Sequence, residues 1–129
     1  MDSDDGAARV RQQVSQLGEK FLRRTQAEAA VLGDLFERIQ AGDMSVLPQL
    51  EAMAHKIHGS GAMFGFPAVS ECAGEIEHLA EHLMTAEGAV DVHSGNTLQR
   101  LRDCISQLAQ AAVVNSLPAT GSPPPTWTG

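Results

Sequence analysis

The sequence has no tyrosine, one tryptophan and four phenylalanines, an aromatic share of 4%. A core must then come from Leu, Ala, Val, Ile and Met, which suits packed helices better than a β-sandwich. Cations are scarce too: nine Lys and Arg stand against sixteen Asp and Glu, a net charge of −7. That balance argues against nucleic-acid binding, which needs clustered cations to displace phosphate counterions. It also disfavours anionic membrane surfaces. No apolar run approaches the roughly 20 residues of a membrane span. The acidic start, MDSDDGAARV, lacks the apolar core of a signal peptide. A cytoplasmic location is expected. Cysteine is limited to Cys72 and Cys104, expected as buried free thiols in such a setting. No Walker-type G-x-x-x-x-G-K-[ST] loop is present, so phosphorylation from ATP by this chain itself is not expected.

What the sequence has is apolar periodicity. Its 129 residues, 43% hydrophobic, fit one domain with a single core. Val10, Val14 and Leu17 fall at helical spacing and predict a short N-terminal helix. Phe21, Ala29, Leu32, Leu35, Phe36 and Ile39 predict a longer one, stopped by Gly42, with Asp43 or Ser45 capping the next. Pro48 suits a first helical turn, and Leu47, Leu50, Ala54, Ile57 and Gly61 form the stripe that follows it. Pro67 restarts a helix with Val69, Cys72, Ile76, Leu79 and Leu83 inward. After a loop, GAVDVHSGN, comes a last stripe of Leu98, Leu101, Ile105, Leu108 and Ala112. No strand survives this reading. The expected fold is all-α, an antiparallel up-down four-helix bundle with an additional short N-terminal helix.

The expected domain limits are a flexible N-terminus over 1–8, a helical bundle over 9–115 and a disordered Pro/Gly/Ser/Thr-rich tail over 116–129. Within the tail, LPATG resembles a sortase signal, which an apolar segment and a basic end would be expected to follow, so it reads as a chance match or a tag. Trp127 there reads as an exposed tail residue.

The stretch AHKIHGSGAMFGF, Ala54 to Phe66, breaks the pattern of a plain helix. It carries His55 and His58 followed by Gly59, Gly61 and Gly65, although glycine inside a helix costs roughly 1 kcal/mol relative to alanine. At about 100° per residue, His55 lies roughly 130° from the centre of the inward stripe and His58 roughly 70° from it. His55 is therefore expected to face solvent, with Gly59 and Ala62 lowering the surface beside it. A neutral imidazole placed so is a competent nucleophile that can hold a phosphoryl group. The alternative from spacing alone is a solvent-facing histidine near a fraying helix end.

These residues resemble the active-site motif of histidine phosphotransfer (HPt) domains of bacterial phosphorelays. The family pattern of His, any residue, an aliphatic, usually Lys, then Gly and a later Gly falls on His55, Ile57, His58, Gly59 and Gly65. The resemblance covers about residues 15 to 115 and implies a four-helix bundle with the histidine exposed on a middle helix. It implies that His55 accepts a phosphoryl group from one receiver-domain aspartate and donates it to another. Response-regulator receiver domains and a hybrid histidine kinase are the implied partners, with neither nucleic acid nor membrane. No cofactor is implied in this chain, because the receiver brings Mg²⁺ and most of the transition-state stabilisation. Such a chain is a phosphoryl carrier rather than an ATP-dependent kinase. The docking surface is expected around Glu51, Ala52, His58, Gly59, Ala62 and Gly65. The alternative is a helical module that binds and regulates a kinase or receiver without carrying phosphate.

One departure is His58, where the family usually has lysine. Positions three apart are neighbours on a helix, so His58 still borders His55. Lys56 points about 100° away and does not compensate. Glu51, one turn before His55, is placed either to fix its tautomer or simply to face water. A rival motif, HLAEH from His78 to His82, formally matches the H-x-x-E-H zinc peptidase pattern. It lacks a third ligand and a cleft, so it reads as a polar helix face and no metal site is expected. His93 lies in the predicted loop without a visible partner.

Overall fold

A computed structural model describes residues 2–85 and 96–116. The predicted loop with His93, and the tail with LPATG and Trp127, lie outside the described residues. Among the described residues every regular element is helical: α1 (Asp2–Gln40), a 3-10 turn (Met44–Val46), α2 (Leu47–Phe64), α3 (Pro67–Leu83) and α4 (Asn96–Ser116). No helix is long and apolar enough to cross a membrane among these residues.

The predicted punctuation operates at most boundaries. Gly42 (φ 104°) and Gly65 (φ 82°) take the left-handed conformation that glycine adopts without steric cost. At each end the following amide closes a wide turn, Asp43 N–H to Arg38 O at 2.8 Å and Phe66 N–H to Gly61 O at 2.8 Å. Asp43 caps the 3-10 turn by accepting from Ser45 N–H at 3.1 Å. Prolines open α2 and α3, where a missing N–H costs least.

The N-terminus differs from expectation. The additional short helix is not a separate element, and residues of the expected flexible terminus also lie in α1, which runs unbroken from Asp2 to Gln40. Gly18, between the two expected helices, is a close-packing position. A Cβ there would stand 3.3 Å from the Phe66 ring. Val10, Val14 and Leu17 are consequently exposed rather than part of the core.

The remaining stripes meet in one core. Leu22, Leu32, Ile39, Leu50, Ile57, Ile76, Leu101 and Leu108 are fully buried within it. Phe21 stacks on Phe64 and Phe66 (centroids 5.2 and 5.7 Å apart), tying α1 to the α2–α3 turn. Gln26 reaches Ala112 and Arg102 lies over Phe36, so α4 runs opposite to α1. Cys72 and Cys104 are free and half-buried, and desolvation is the main cause raising both thiols.

The α2–α3 pair positions His55 and His58. The helices approach closely at Gly61, where a Cβ would stand 3.0 Å from the Ser70 amide nitrogen. Only glycine fits that crossing, so Gly61 is explained by packing.

Candidate functional site

The antiparallel α2–α3 seam brings together residues that are distant in sequence. On α2, His55 projects outward with 70% of its side chain exposed. On α3, Ser70, Gly74, Glu77 and Glu81 recur at steps of four, three and four, so they share one helix face. That face runs beside the apolar stripe and borders α2.

His55 Nδ1 and Glu77 Oε2 are 2.7 Å apart. A carboxylate only accepts, so the proton sits on Nδ1 and the Nε2 lone pair faces away from α3. The hydrogen bond to Glu77, and then the charge of Glu77, hold the His55 imidazole above the ordinary histidine range. Glu51 and Glu81 reinforce this field against a smaller desolvation effect. Of the two options for Glu51, fixing the His55 tautomer is therefore not the one observed. Glu77, approaching from across the seam, holds that position.

Glu51 belongs to an acidic group beneath His55. Ligand oxygens of Glu51, Glu77 and Glu81 lie within 4.8 Å of one another. Burial raises the Glu51 carboxyl, with a hydrogen bond to Glu81 and the charges of Glu77 and Glu81 adding to the rise.

His58 is held differently. Its Nδ1–H donates to the Ser70 carbonyl at 2.8 Å, and the Ser70 hydroxyl donates to the His58 carbonyl at 2.9 Å. Gly74 makes room for the ring, since a Cβ there would stand 2.9 Å from His58 Nδ1. The histidine that replaces the expected lysine is thus docked into a slot on α3. His55 and His58 use one arrangement twice, each imidazole tied through Nδ1 to an oxygen of α3.

The other expected docking residues divide. Ala52, Gly59 and Ala62 are exposed, and by helical rotation lie within about 60° of His55. Nothing stands within 4 Å of a Cβ built on Gly59, so the surface there is open. Gly65 is also exposed, but its positive φ is required by the end of α2. It lines a shallow hollow with Ala62, Phe66, Pro67, Ser70 and Glu71. Lys56 is exposed. His78 and His82 join no cluster of three metal-ligating side chains among the described residues.

Sequence reasoning missed Ser70, Gly74 and Glu77 as site residues. Their spacing was readable as a second stripe of α3, but nothing local says which neighbouring helix that stripe meets.

Searches of curated proteins and of solved structures return no match. A family model described as Hpt domain matches residues 10–111, most of the helical body just described. Hpt domains carry out histidine phosphotransfer in phosphorelays, working with receiver domains and kinases. The helical architecture, the exposed histidine and the matched span agree: this chain belongs to the Hpt domain family.

Proposed function

We propose that the chain relays phosphoryl groups in a bacterial two-component pathway through His55. The observation that carries this reading is the His55–Glu77 pair: an exposed imidazole, its proton held on Nδ1 by a carboxylate, its Nε2 lone pair directed outward.

In the transfer, Nε2 attacks the phosphorus of a receiver's aspartyl phosphate. The N–P bond forms, the P–O bond breaks and the receiver's carboxylate leaves with the electron pair. The Nδ1 proton stays in place, so the ring becomes cationic and the Glu77 carboxylate stabilises it. The logic is that of an acid orienting a histidine beside a nucleophile. Return transfer to a second receiver reverses these steps. Mg²⁺, supplied by the receiver, neutralises the phosphoryl oxygens.

A receiver docks over the exposed α2 face: Ala52, His55, Gly59 and Ala62, flanked by Glu51, His58 and Gly65. The working domain spans about residues 9–115, the setting is cytoplasmic, and the phosphodonor upstream is a hybrid histidine kinase. A phosphorylated receiver should label the wild type and not His55→Gln, with helical content unchanged. Retained labelling of His55→Gln would sink the proposal. An unlabelled wild type that still binds the receiver would establish the non-phosphorylated regulatory module instead.

A further inference from the structure

Helix α3 has two seams. Its edge toward α2 carries Ser70, Gly74 and Glu77, set against His58 and His55. Its other edge meets α4, where Arg100 Nη2 and Glu75 Oε2 form an ion pair at 2.5 Å. Phe21 meets Phe64 and Gln26 meets Ala112, so α2 and α4 both run opposite to α1. Because α3 is antiparallel to α2, it is antiparallel to α4 as well.

That direction and the Glu75–Arg100 pair fix the register of the seam. Positions one turn before Glu75 stand opposite positions one turn after Arg100. Those positions are Cys72 and Cys104. Steps of three and four residues keep each cysteine on the same helix edge as its charged neighbour. Arg102, two residues from Cys104, lies instead over Phe36 on the α1 side of α4. Both cysteines are half-buried and pack against the common core. The electrostatics agree with this placement. Burial is the main cause raising the Cys104 thiol, Glu75 and then Cys72 add to the rise, and Arg100 opposes it. These are the three neighbours that the register assigns. Helix axes packed about 8–10 Å apart bring facing Cα atoms to roughly the 4.4–6.8 Å that a disulfide spans.

We propose that Cys72 and Cys104 are a dithiol modification site, which a peroxide oxidises to a disulfide bridging α3 and α4. One sulfur, as its thiolate, attacks a peroxide oxygen: the S–O bond forms, the O–O bond breaks and hydroxide leaves. The second sulfur then attacks the sulfenic sulfur. The S–S bond forms, the S–O bond breaks, and water leaves with the attacking thiol's proton. A small dithiol reverses the reaction by exchange. Burial first, and acidic neighbours after it, hold both thiols up, so thiolate is scarce at neutral pH and the oxidation is slow.

The reduced full chain, treated with hydrogen peroxide, should lose two hydrogens in mass and both alkylatable thiols. It should stay monomeric on a non-reducing gel. A tryptic product joining Cys72 to Cys104 should appear, and dithiothreitol should remove it. Because the bridge closes a long loop, oxidation should raise the melting temperature, on the order of 10 °C. Cys72→Ser and Cys104→Ser should each lack that rise, with dimedone trapping a sulfenic acid on the remaining cysteine. Cys72→Ala and Cys104→Ala make the same comparison with an apolar residue at the half-buried position. Two alkylatable thiols after peroxide would overturn the proposal, as would a bridge formed only between chains. An oxidised chain melting no higher than the reduced one would mean a bridge made by breaking the seam, and would overturn it too. None of these readouts involves labelling at His55, so they stand apart from the phosphotransfer proposal.

Discussion

His55 and Glu77, 22 residues apart, meet through a 2.7 Å contact across the α2–α3 seam. Because this contact raises the histidine pKa above its ordinary value of 6.5, more of His55 is protonated near neutral pH than of a free histidine. Protonation occupies Nε2 and blocks attack. Phosphoryl acceptance should therefore rise with pH through the raised pKa. In Glu77→Gln the midpoint should move to lower pH, while the plateau rate drops on the order of tenfold as support for the cationic ring is lost. Transfer rates against pH, paired with an NMR titration of His55, check both. An unshifted midpoint would remove Glu77 from the mechanism.

Gly74 and His58 should be coupled in stability. Alanine in a helix normally gains about 1 kcal/mol over glycine, yet a Cβ at Gly74 would stand 2.9 Å from His58 Nδ1. Gly74→Ala should lose that gain and destabilise by about 1 kcal/mol as the ring leaves Ser70. In the His58→Ala background the same change should stabilise by about 1 kcal/mol. A double-mutant cycle from urea melts measures the difference. Additive effects would mean that His58 does not occupy the slot.

Gly59 and Gly61 should respond oppositely. Alanine at Gly59 meets nothing within 4 Å and should stabilise the fold by about 1 kcal/mol. If the receiver lands there, the same variant should slow phosphoryl transfer. Alanine at Gly61 would press on the Ser70 backbone at 3.0 Å and should cost about 1–3 kcal/mol. Thermal melts and transfer rates, read together, test the pair.

The acidic group should leave a pH signature. The Glu51 carboxyl is raised above its ordinary value of 4.5, so the folded state holds its proton more tightly than the unfolded state. The stability this contributes is present at low pH and lost as pH rises through the raised value. Relative to Glu51→Gln, the wild type should therefore lose melting temperature as pH climbs above 4.5. A constant difference across that range would contradict it.

Much of this was legible in the sequence, and particular residues show why. Leu50, Ala54 and Ile57 recur at helical spacing, and they are buried as that spacing demands. His55, on the far side of the same helix, is exposed for the same reason. Gly42 and Pro67 mark boundaries because their backbone chemistry acts locally. The packing of Gly18 was not legible, since it depends on Phe66, which reaches it only in the folded chain. Glu77 and Ser70 were hidden similarly. Their partners, His55 and His58, are set by how two antiparallel helices register, which a single helix's periodicity does not encode.

The α2–α3 pair has a consequence for how such a protein changes over generations. Glu51, His55, His58, Ser70, Gly74, Glu77 and Glu81 all lie between Leu47 and Leu83. If phosphoryl transfer runs through His55, its chemistry is inherited as one uninterrupted hairpin, while α1 and α4 close the core around it. Those outer helices can drift, provided their buried stripes persist, without disturbing the imidazoles. Grafting the hairpin onto the outer helices of a related bundle would then carry partner preference with it.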